Sequence, residues 1–188
     1  MKVFLLVAGK VNELVNIKLL NMLKNTKLQL AGIKESYKDQ YYEIYLENKN
    51  YHTYAYSEPK PRDKFDQRFE DSDTDPCFVL VGDKNEVMAF CGVEISRLDG
   101  WAEVNFMVKA KYQGQGYGKK ILNLVIDQLK QLSNIDYLEA LTFDNIASES
   151  LLLSVGFVKT SFYPNYRKII KDGQYVTLNE NGYYLKIK

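Results

Sequence analysis

A glycine-rich turn between a strand-like run and an amphipathic helix constrains this 188-residue chain more than any other feature. The turn reads Gln-Gly-Gln-Gly-Tyr-Gly over residues 113–118, after an apolar run at 101–108 and before a helical pattern at 119–132. Because glycine has no Cβ, a ligand can approach the backbone at Gly116 and Gly118 closely. The N-terminus of the following helix adds partial positive charge. The turn therefore predicts an anion site, and phosphate is the obvious biological anion.

Two common phosphate motifs do not match this turn. A P-loop requires a serine or threonine after its Gly-Lys pair, whereas Lys120 follows Gly118–Lys119. A dinucleotide fingerprint begins at Gly114–Gln115–Gly116 but has Lys119 where its third glycine belongs. These mismatches count against a nucleotide-binding module, and the pattern that remains is Gln-x-x-Gly-x-Gly.

A second motif follows at residues 145–157, which read Asn-Ile-Ala-Ser-Glu-Ser-Leu-Leu-Leu-Ser-Val-Gly-Phe. Asp144 or Asn145 is a suitable helix N-cap, and Gly156 a suitable terminator. In this order, the two motifs resemble those of the GNAT N-acetyltransferase superfamily. The pattern is most similar to the branch that acetylates ribosomal-protein N-termini, and the resemblance covers roughly residues 28–188.

The resemblance implies a single α/β domain over residues 28–188. It has a mixed, mostly antiparallel central sheet with helices on both faces. Residues 1–27 precede this domain, and their apolar residues recur at helical spacing, which predicts an amphipathic helix that caps the core or forms a homodimer contact. These residues are Val11, Leu14, Val15, Leu19, Met22 and Leu23.

Local patterns place further elements along the chain. Helices are expected at 37–47 and 62–70. Strands are expected at 28–33, 77–81, 87–95, 101–108, 137–142, 157–162 and 183–187, with an irregular stretch at 163–165.

Composition excludes several classes of function. A net charge of +1 gives no global field for nucleic acid or a membrane surface, and no apolar stretch approaches the ~20 residues of a membrane span. Cys77 and Cys91 lie in apolar runs without metal-ligand spacing, which predicts buried thiols in a reducing cytoplasm and no metal site.

By the resemblance, acetyl-CoA is the acetyl donor. The backbone near Met107 and Val108, on a splayed strand, would pair with pantetheine and polarise the thioester carbonyl. Asn145 and Ser148 would orient pantetheine or the helix start. The pyrophosphate would lie against Gln113, Gly114, Gly116, Gly118 and Lys119. Nearby Lys109, Lys111 and Lys120 either add charge at the phosphates or form a solvated surface.

Acetylation also needs a base, because an alkyl amine is mostly protonated at neutral pH. Glu103 is the first candidate, since it matches a glutamate found on this strand in the resembling branch. Strand alternation places it on one face with Asn105 and Met107. Glu94 is the second candidate, and the alternative is that both acids form structural pairs or face solvent.

The thiolate leaving group raises a further question. Many family members carry a tyrosine seven residues after the asparagine, and this chain has Leu152 there. Ser148, Ser150, Tyr163 or Tyr166 could replace that hydroxyl, or water could protonate the thiolate. Tyr163 is taken as the catalytic candidate.

The acceptor is the least determined part. The resemblance places it beside the first two helices and their loop, where tyrosines could attract an amine or simply pack. They are Tyr37, Tyr41, Tyr42, Tyr45, Tyr51, Tyr54 and Tyr56, with an acidic turn at Asp71, Asp73 and Asp75.

The sequence thus predicts an enzyme that moves an acetyl group from acetyl-CoA to a primary amine of a small molecule or protein N-terminus. The alternative is a catalytically weak acyl-CoA-binding sensor or interaction module.

Overall fold

A computed structural model describes residues 2–5, 12–16, 29–32, 35–48, 59–66, 76–82, 85–96, 99–132, 135–171 and 173–188. Its helices are α1 (Glu35–Glu47), α2 (Arg62–Asp66), α3 (Tyr117–Leu129) and α4 (Ile146–Ser154). Its strands are β1 (Lys2–Leu5), β2 (Asn12–Asn16), β3 (Gln29–Gly32), β4 (Cys77–Val81), β5 (Val87–Ser96), β6 (Trp101–Val108), β7 (Tyr137–Phe143), β8 (Val158–Lys171) and β9 (Gln174–Lys186).

Strands β3 to β9 form one seven-stranded sheet in the order β3-β4-β5-β6-β7-β9-β8. The pair β6–β7 is parallel, and the other five pairs are antiparallel. A parallel pair needs a crossover connection, which α3 provides. The predicted mixed, mostly antiparallel sheet is confirmed.

Apolar residues cover both faces of this sheet. On one face, α3 buries Ile121, Leu122 and Val125 in a core cluster that also contains Ala102 and Val104 of β6. On the other face, α1 and α2 pack a mainly aromatic cluster against β4 and β5. Helices cover both faces of the sheet, as predicted. They leave a place between β6 and β7 where a ligand can enter.

The helix predicted within residues 1–27 is wrong where the structure describes this segment. Leu14 and Val15 belong to β2, which pairs antiparallel with β1, Val3 opposite Val15. A short apolar run fits both the helical and the strand period. Here residues 2–5, which include a β-branched and an aromatic residue, supply a strand partner that the spacing within 11–23 does not reveal. Val11, Leu19, Met22 and Leu23 lie outside the described residues, and the division at residue 27 stays a prediction.

The C-terminal strands are longer than predicted. β8 and β9 form one long hairpin that turns at 171–174, so residues 163–165 interrupt a continuous strand rather than end it. The irregularity itself is present as a bulge, because four residue steps on β8, from Tyr163 to Arg167, face two steps on β9, from Glu180 to Leu178.

Candidate functional site

A wedge-shaped cleft opens between β6 and β7. The two strands pair with each other only from Trp101–Tyr137 to Glu103–Glu139. Beyond that point both strands continue, but they no longer pair with each other. Residues of both strands then line a cavity of about 470 Å³, together with the glycine turn and the start of α4. The splayed strand is therefore confirmed, and Met107 and Val108 line the cavity at the open end of β6.

The glycine turn forms one end of this cavity. Gly114 and Gly116 have positive φ angles of 71° and 84°, and Gly116 is the N-cap of the 13-residue helix α3. A Cβ added at either position would meet no atom within 4 Å, so the space beside both glycines is open. Gly118 and Lys119 also line the cavity. Positive φ, open space and a helix N-terminus together fit a pyrophosphate group.

Gln113 is held by a contact that the sequence did not indicate. Its Nε2 donates hydrogen bonds to the Val108 carbonyl and to Oδ1 of Asn48, each at 3.1 Å. The buried Asn48 in turn donates from Nδ2 to the carbonyls of Ile44, at 2.7 Å, and Val108, at 3.1 Å. Asn48 thus ties the end of α1 to the end of β6 and to the glycine turn. No local pattern reveals this, since the partners are 60 and 65 residues away.

Two lysines before the turn are already paired. The Nζ of Lys111 lies 2.6 Å from Oε1 of Glu86, and Lys109 Nζ lies 3.4 Å from Oε2 of Glu43. Hydrogen bonds from Lys111 and Tyr112 hold the pKa of the Glu86 carboxyl below its usual range. Lys109 and Lys111 therefore brace the turn against the β4–β5 connection and α1. Within the described residues Lys119 makes no ion pair and lines the cavity.

Glu103 lies at the apex of the cleft, where β6 and β7 separate. Its face of β6 also carries Asn105 and Met107, while Ala102 and Val104 point into the core on the other side, so the predicted alternation is confirmed. Burial raises the pKa of Glu103, and the negative charges of Glu94, Glu139 and Glu180 raise it further. A carboxyl with a raised pKa inside a cleft suits a proton acceptor working near neutral pH.

Helix α4 presents two predicted residues to the cavity. Asn145 caps the helix, accepting a 3.1 Å hydrogen bond from the Ser148 backbone N–H at Oδ1, and both residues line the cavity. Leu152 is fully buried. Of the four hydroxyl residues considered in place of a tyrosine there, Ser148 lines the cavity and the other three do not. Three further hydroxyl residues that sequence reasoning missed also line the cavity, namely Tyr112, Tyr117 and Thr142.

The structure does not bring Tyr163 to the cleft. Tyr163 lies on β8, beyond β9, opposite Glu180, and its side chain is 51% exposed. The prediction that Tyr163 is catalytic needs correction, because Tyr163 is exposed and does not line the cavity, whereas Arg167 of the same strand does.

The tyrosines of α1 pack rather than line the cavity. Tyr37, Tyr41 and Tyr45 are buried in the cluster around Phe65 and Phe90. The hydroxyl of Tyr45 accepts a 2.8 Å hydrogen bond from the Lys60 backbone N–H. Tyr42 is partly buried beside them, and its hydroxyl donates a 3.1 Å hydrogen bond to the Lys60 carbonyl. The remaining members of the predicted acceptor wall, Tyr51, Tyr54, Tyr56, Asp71, Asp73 and Asp75, lie outside the described residues.

Arg167 is a cavity residue that no sequence pattern singled out. Its guanidinium carbon lies 4.6 Å from the centroid of the Phe143 ring, at the end of β7. Since β9 separates β8 from β7, this side chain reaches across a strand to the cleft. The sequence around Arg167 did not predict a cavity residue, because an arginine in a basic, aromatic strand is typical of a solvated surface.

Comparison with known proteins now decides the family. The chain matches the model of the Acetyltransferase (GNAT) family over residues 33–157. It belongs to the GNAT acetyltransferase family. The predicted family and fold are confirmed, and acetyl-CoA as the donor agrees with this membership. No curated protein matches the chain.

Several solved structures share the GNAT fold of this chain. The ribosomal-protein-S18-alanine N-acetyltransferase from Escherichia coli is 21% identical, with 86% of this chain and 94% of that chain covered and a TM-score of 0.67. Spermidine N-acetyltransferase from Vibrio cholerae, with CoA and spermine, is 17% identical, covers 86% and 96%, and has a TM-score of 0.71. The Salmonella typhimurium protein yncA, with acetyl-CoA, is 20% identical, covers 87% and 95%, and has a TM-score of 0.71.

Neither a metal-ligand group nor a membrane-spanning helix is present in the described residues. In the described ranges, no three or more His, Cys, Asp or Glu side chains are grouped to hold a metal ion. None of the helices in those ranges is long and apolar enough to cross a membrane.

Proposed function

We propose that this protein transfers an acetyl group from acetyl-CoA to the primary amine of a small molecule or a protein N-terminus. The observation that carries the proposal is the cleft between β6 and β7, with an anion-binding glycine turn at one end and Glu103 at its apex. A binding module needs the turn, but it has no need for a half-buried carboxyl with a raised pKa at the point where an amine would enter.

In this proposal, some residues bind acetyl-CoA and another accepts the proton of the amine. Gly114, Gly116 and the N-terminus of α3 would bind the pyrophosphate, and the free edge of β6 up to Val108 would bind the pantetheine amides. When bound, acetyl-CoA supplies a thioester whose carbonyl carbon accepts the amine nitrogen and whose sulfur leaves as a thiolate. Glu103 takes the proton that the amine loses, directly or through water, so that the nitrogen attacks in its neutral form.

The donor site is tested first by calorimetry with acetyl-CoA, using ATP and NAD as controls. We expect micromolar binding of acetyl-CoA alone. Gly116→Val should abolish it, because a β-branched residue is strained at φ 84° and its side chain would fill the open space beside the turn. Gly173→Val is a matched control, since Gly173 has φ 76° and equally open surroundings at the distant β8–β9 turn. Equal acetyl-CoA affinity in both variants would contradict the donor site.

The role of Glu103 is tested by turnover, measured as release of CoA thiol with an amine acceptor. Glu103→Gln should lower kcat by about 10²–10⁴-fold and leave acetyl-CoA affinity unchanged. Wild-type turnover by this variant below the pKa of the amine would reject Glu103 as the base. Absence of turnover in the wild type would favour the binding module.

A further inference from the structure

Charges of both signs lie in the cleft or beside it, because Glu103 and Arg167 both line the cavity. The negative charges come from neighbouring strands, because Glu103 lies opposite Glu94 on β5 and Glu139 on β7. Glu180 of β9 adds a fourth carboxyl opposite Phe143, and its side chain is only 7% exposed. An ammonium group is therefore attracted to this part of the cleft.

The positive charge comes from Arg167. The bulge between Tyr163 and Arg167 re-aims the β8 strand, and the Arg167 side chain then reaches over the ring of Phe143. Within the described part of the chain, no carboxylate lies within 4.0 Å of its guanidinium. Arg62 shows the contrast, since its guanidinium lies 2.7 Å from carboxylate oxygens of both Asp39 and Asp66. Arg167 is thus a partly buried cation that lines the cavity and makes no ion pair with a described carboxylate.

This geometry favours a planar anion as the partner of Arg167. A guanidinium that lies over an aromatic ring keeps its N–H donors at its edge, in a fork that matches the two oxygens of a carboxylate. Lys119, at the glycine turn, is positioned for phosphate instead, and the cleft runs from that turn to the Phe143 end of β7.

From this arrangement we infer that Arg167 determines acceptor specificity by binding a carboxylate of the acceptor. This inference rests on the proposed function, because Glu103 receives the amine of the same molecule. The acceptor is then a small amino compound that also carries a carboxylate. A polyamine fits less well, since its second ammonium would meet the Arg167 charge, and a simple alkylamine would leave that charge unpaired.

The test uses the full-length protein with each of the common amino acids and, beside it, the carboxamide of the same amino acid. Spermidine and a peptide lacking acidic residues complete the panel. Release of CoA thiol gives kcat and KM for each. For the best amino acid, we expect the wild type to show a kcat/KM at least about tenfold above that of its carboxamide.

Three variants separate recognition from folding. Arg167→Gln should lower kcat/KM for the amino acid by at least about tenfold, mainly through KM, and leave the carboxamide unchanged, and Arg167→Lys should recover part of the loss. Lys159→Gln is the matched control, because Lys159 is also a cation of β8 that lies over an aromatic ring. Its Nζ is 5.2 Å from the Phe162 centroid, and it lies outside the cavity. It should leave all values unchanged.

The outcomes distinguish the two proposals. Equal or better turnover of carboxamides, peptide or spermidine by the wild type overturns the role of Arg167 and leaves the acetyltransferase standing. Weaker acetyl-CoA binding by Arg167→Gln also overturns it, since the arginine then serves the donor. No turnover of any amine in the panel overturns both.

Discussion

Glu103 lies where four strands bring four glutamates to one face of the sheet. Its carboxyl has a raised pKa, first because it is partly buried and then because of its acidic neighbours. The same environment that makes it a suitable base must cost stability, because above the raised pKa the folded state holds a charge that the unfolded state solvates better. Function and stability therefore oppose each other at this residue.

We expect Glu103→Gln to raise the free energy of unfolding at about pH 8, where the wild-type carboxyl is ionised in both states. The gain should shrink as the pH falls through the raised pKa of the folded state and be lost by about pH 4.3, the ordinary pKa of glutamate, because the wild-type carboxyl is then neutral in the folded state and carries no penalty. Urea unfolding at both pH values measures this. Asp127→Asn, at an exposed acid 3.6 Å from Lys130, is the control and should change little. A loss of stability at about pH 8 in Glu103→Gln would contradict the stated origin of the pKa shift.

At the scale of elements, the site depends on how α1, β6 and the glycine turn are joined. Asn48 is the joint, because one buried side chain contacts the last turn of α1, the end of β6 and Gln113. Glu47 adds a 2.8 Å hydrogen bond from the Ala110 backbone N–H. These contacts hold the end of α1, the end of β6 and the glycine turn together.

Replacement of Asn48 by alanine should lower the free energy of unfolding by about 1–3 kcal/mol, because it leaves the partly buried Val108 carbonyl and the Gln113 amide without this partner. Acetyl-CoA affinity should fall as well, since the turn loses its support. Chemical denaturation and calorimetry give the two values. Gln131→Ala removes an exposed 3.3 Å amide–carbonyl bond of the same chemistry and should stay within about 0.5 kcal/mol of the wild type. Equal effects of the two substitutions would rule out the linking role of Asn48.

At the scale of the whole molecule, the seven-stranded sheet separates two apolar clusters, one on each of its faces. Cys91 lies at the centre of this arrangement on β5, fully buried, and burial raises the pKa of its thiol far above the usual range. A thiol that is both inaccessible and protonated reports on opening of the core.

Iodoacetamide should therefore label Cys91 only as fast as the molecule unfolds. The measurement uses Cys77→Ser, which leaves Cys91 as the remaining cysteine, and follows alkylation by mass spectrometry as urea is raised. Labelling should follow the unfolding transition seen by circular dichroism. Rapid labelling in native buffer would show that this cluster opens locally.

The sequence by itself predicted the family, through two ordered motifs that resemble those of GNAT proteins, and it predicted the glycine turn and the start of α4 from local chemistry. Glycine suits the positive φ angles at 114 and 116, and Asn145 caps the helix. Strand alternation likewise placed Glu103 and Met107 on one face. Such signals lie within a few residues of one another, so the chain carries them without its fold.

Only the tertiary structure decided what depends on partners far apart in the chain. Asn48 reaches the cleft because α1 packs on the sheet, and Arg167 reaches it from β8 beside a bulge, and no short pattern encodes either contact. Tyr163 lies on the same strand as Arg167, but it is exposed and does not line the cavity. Lys109 and Lys111 likewise found acidic partners across the fold. Charge and hydroxyl groups are common on any chain, and which of them meet is fixed by the packing of the whole sheet.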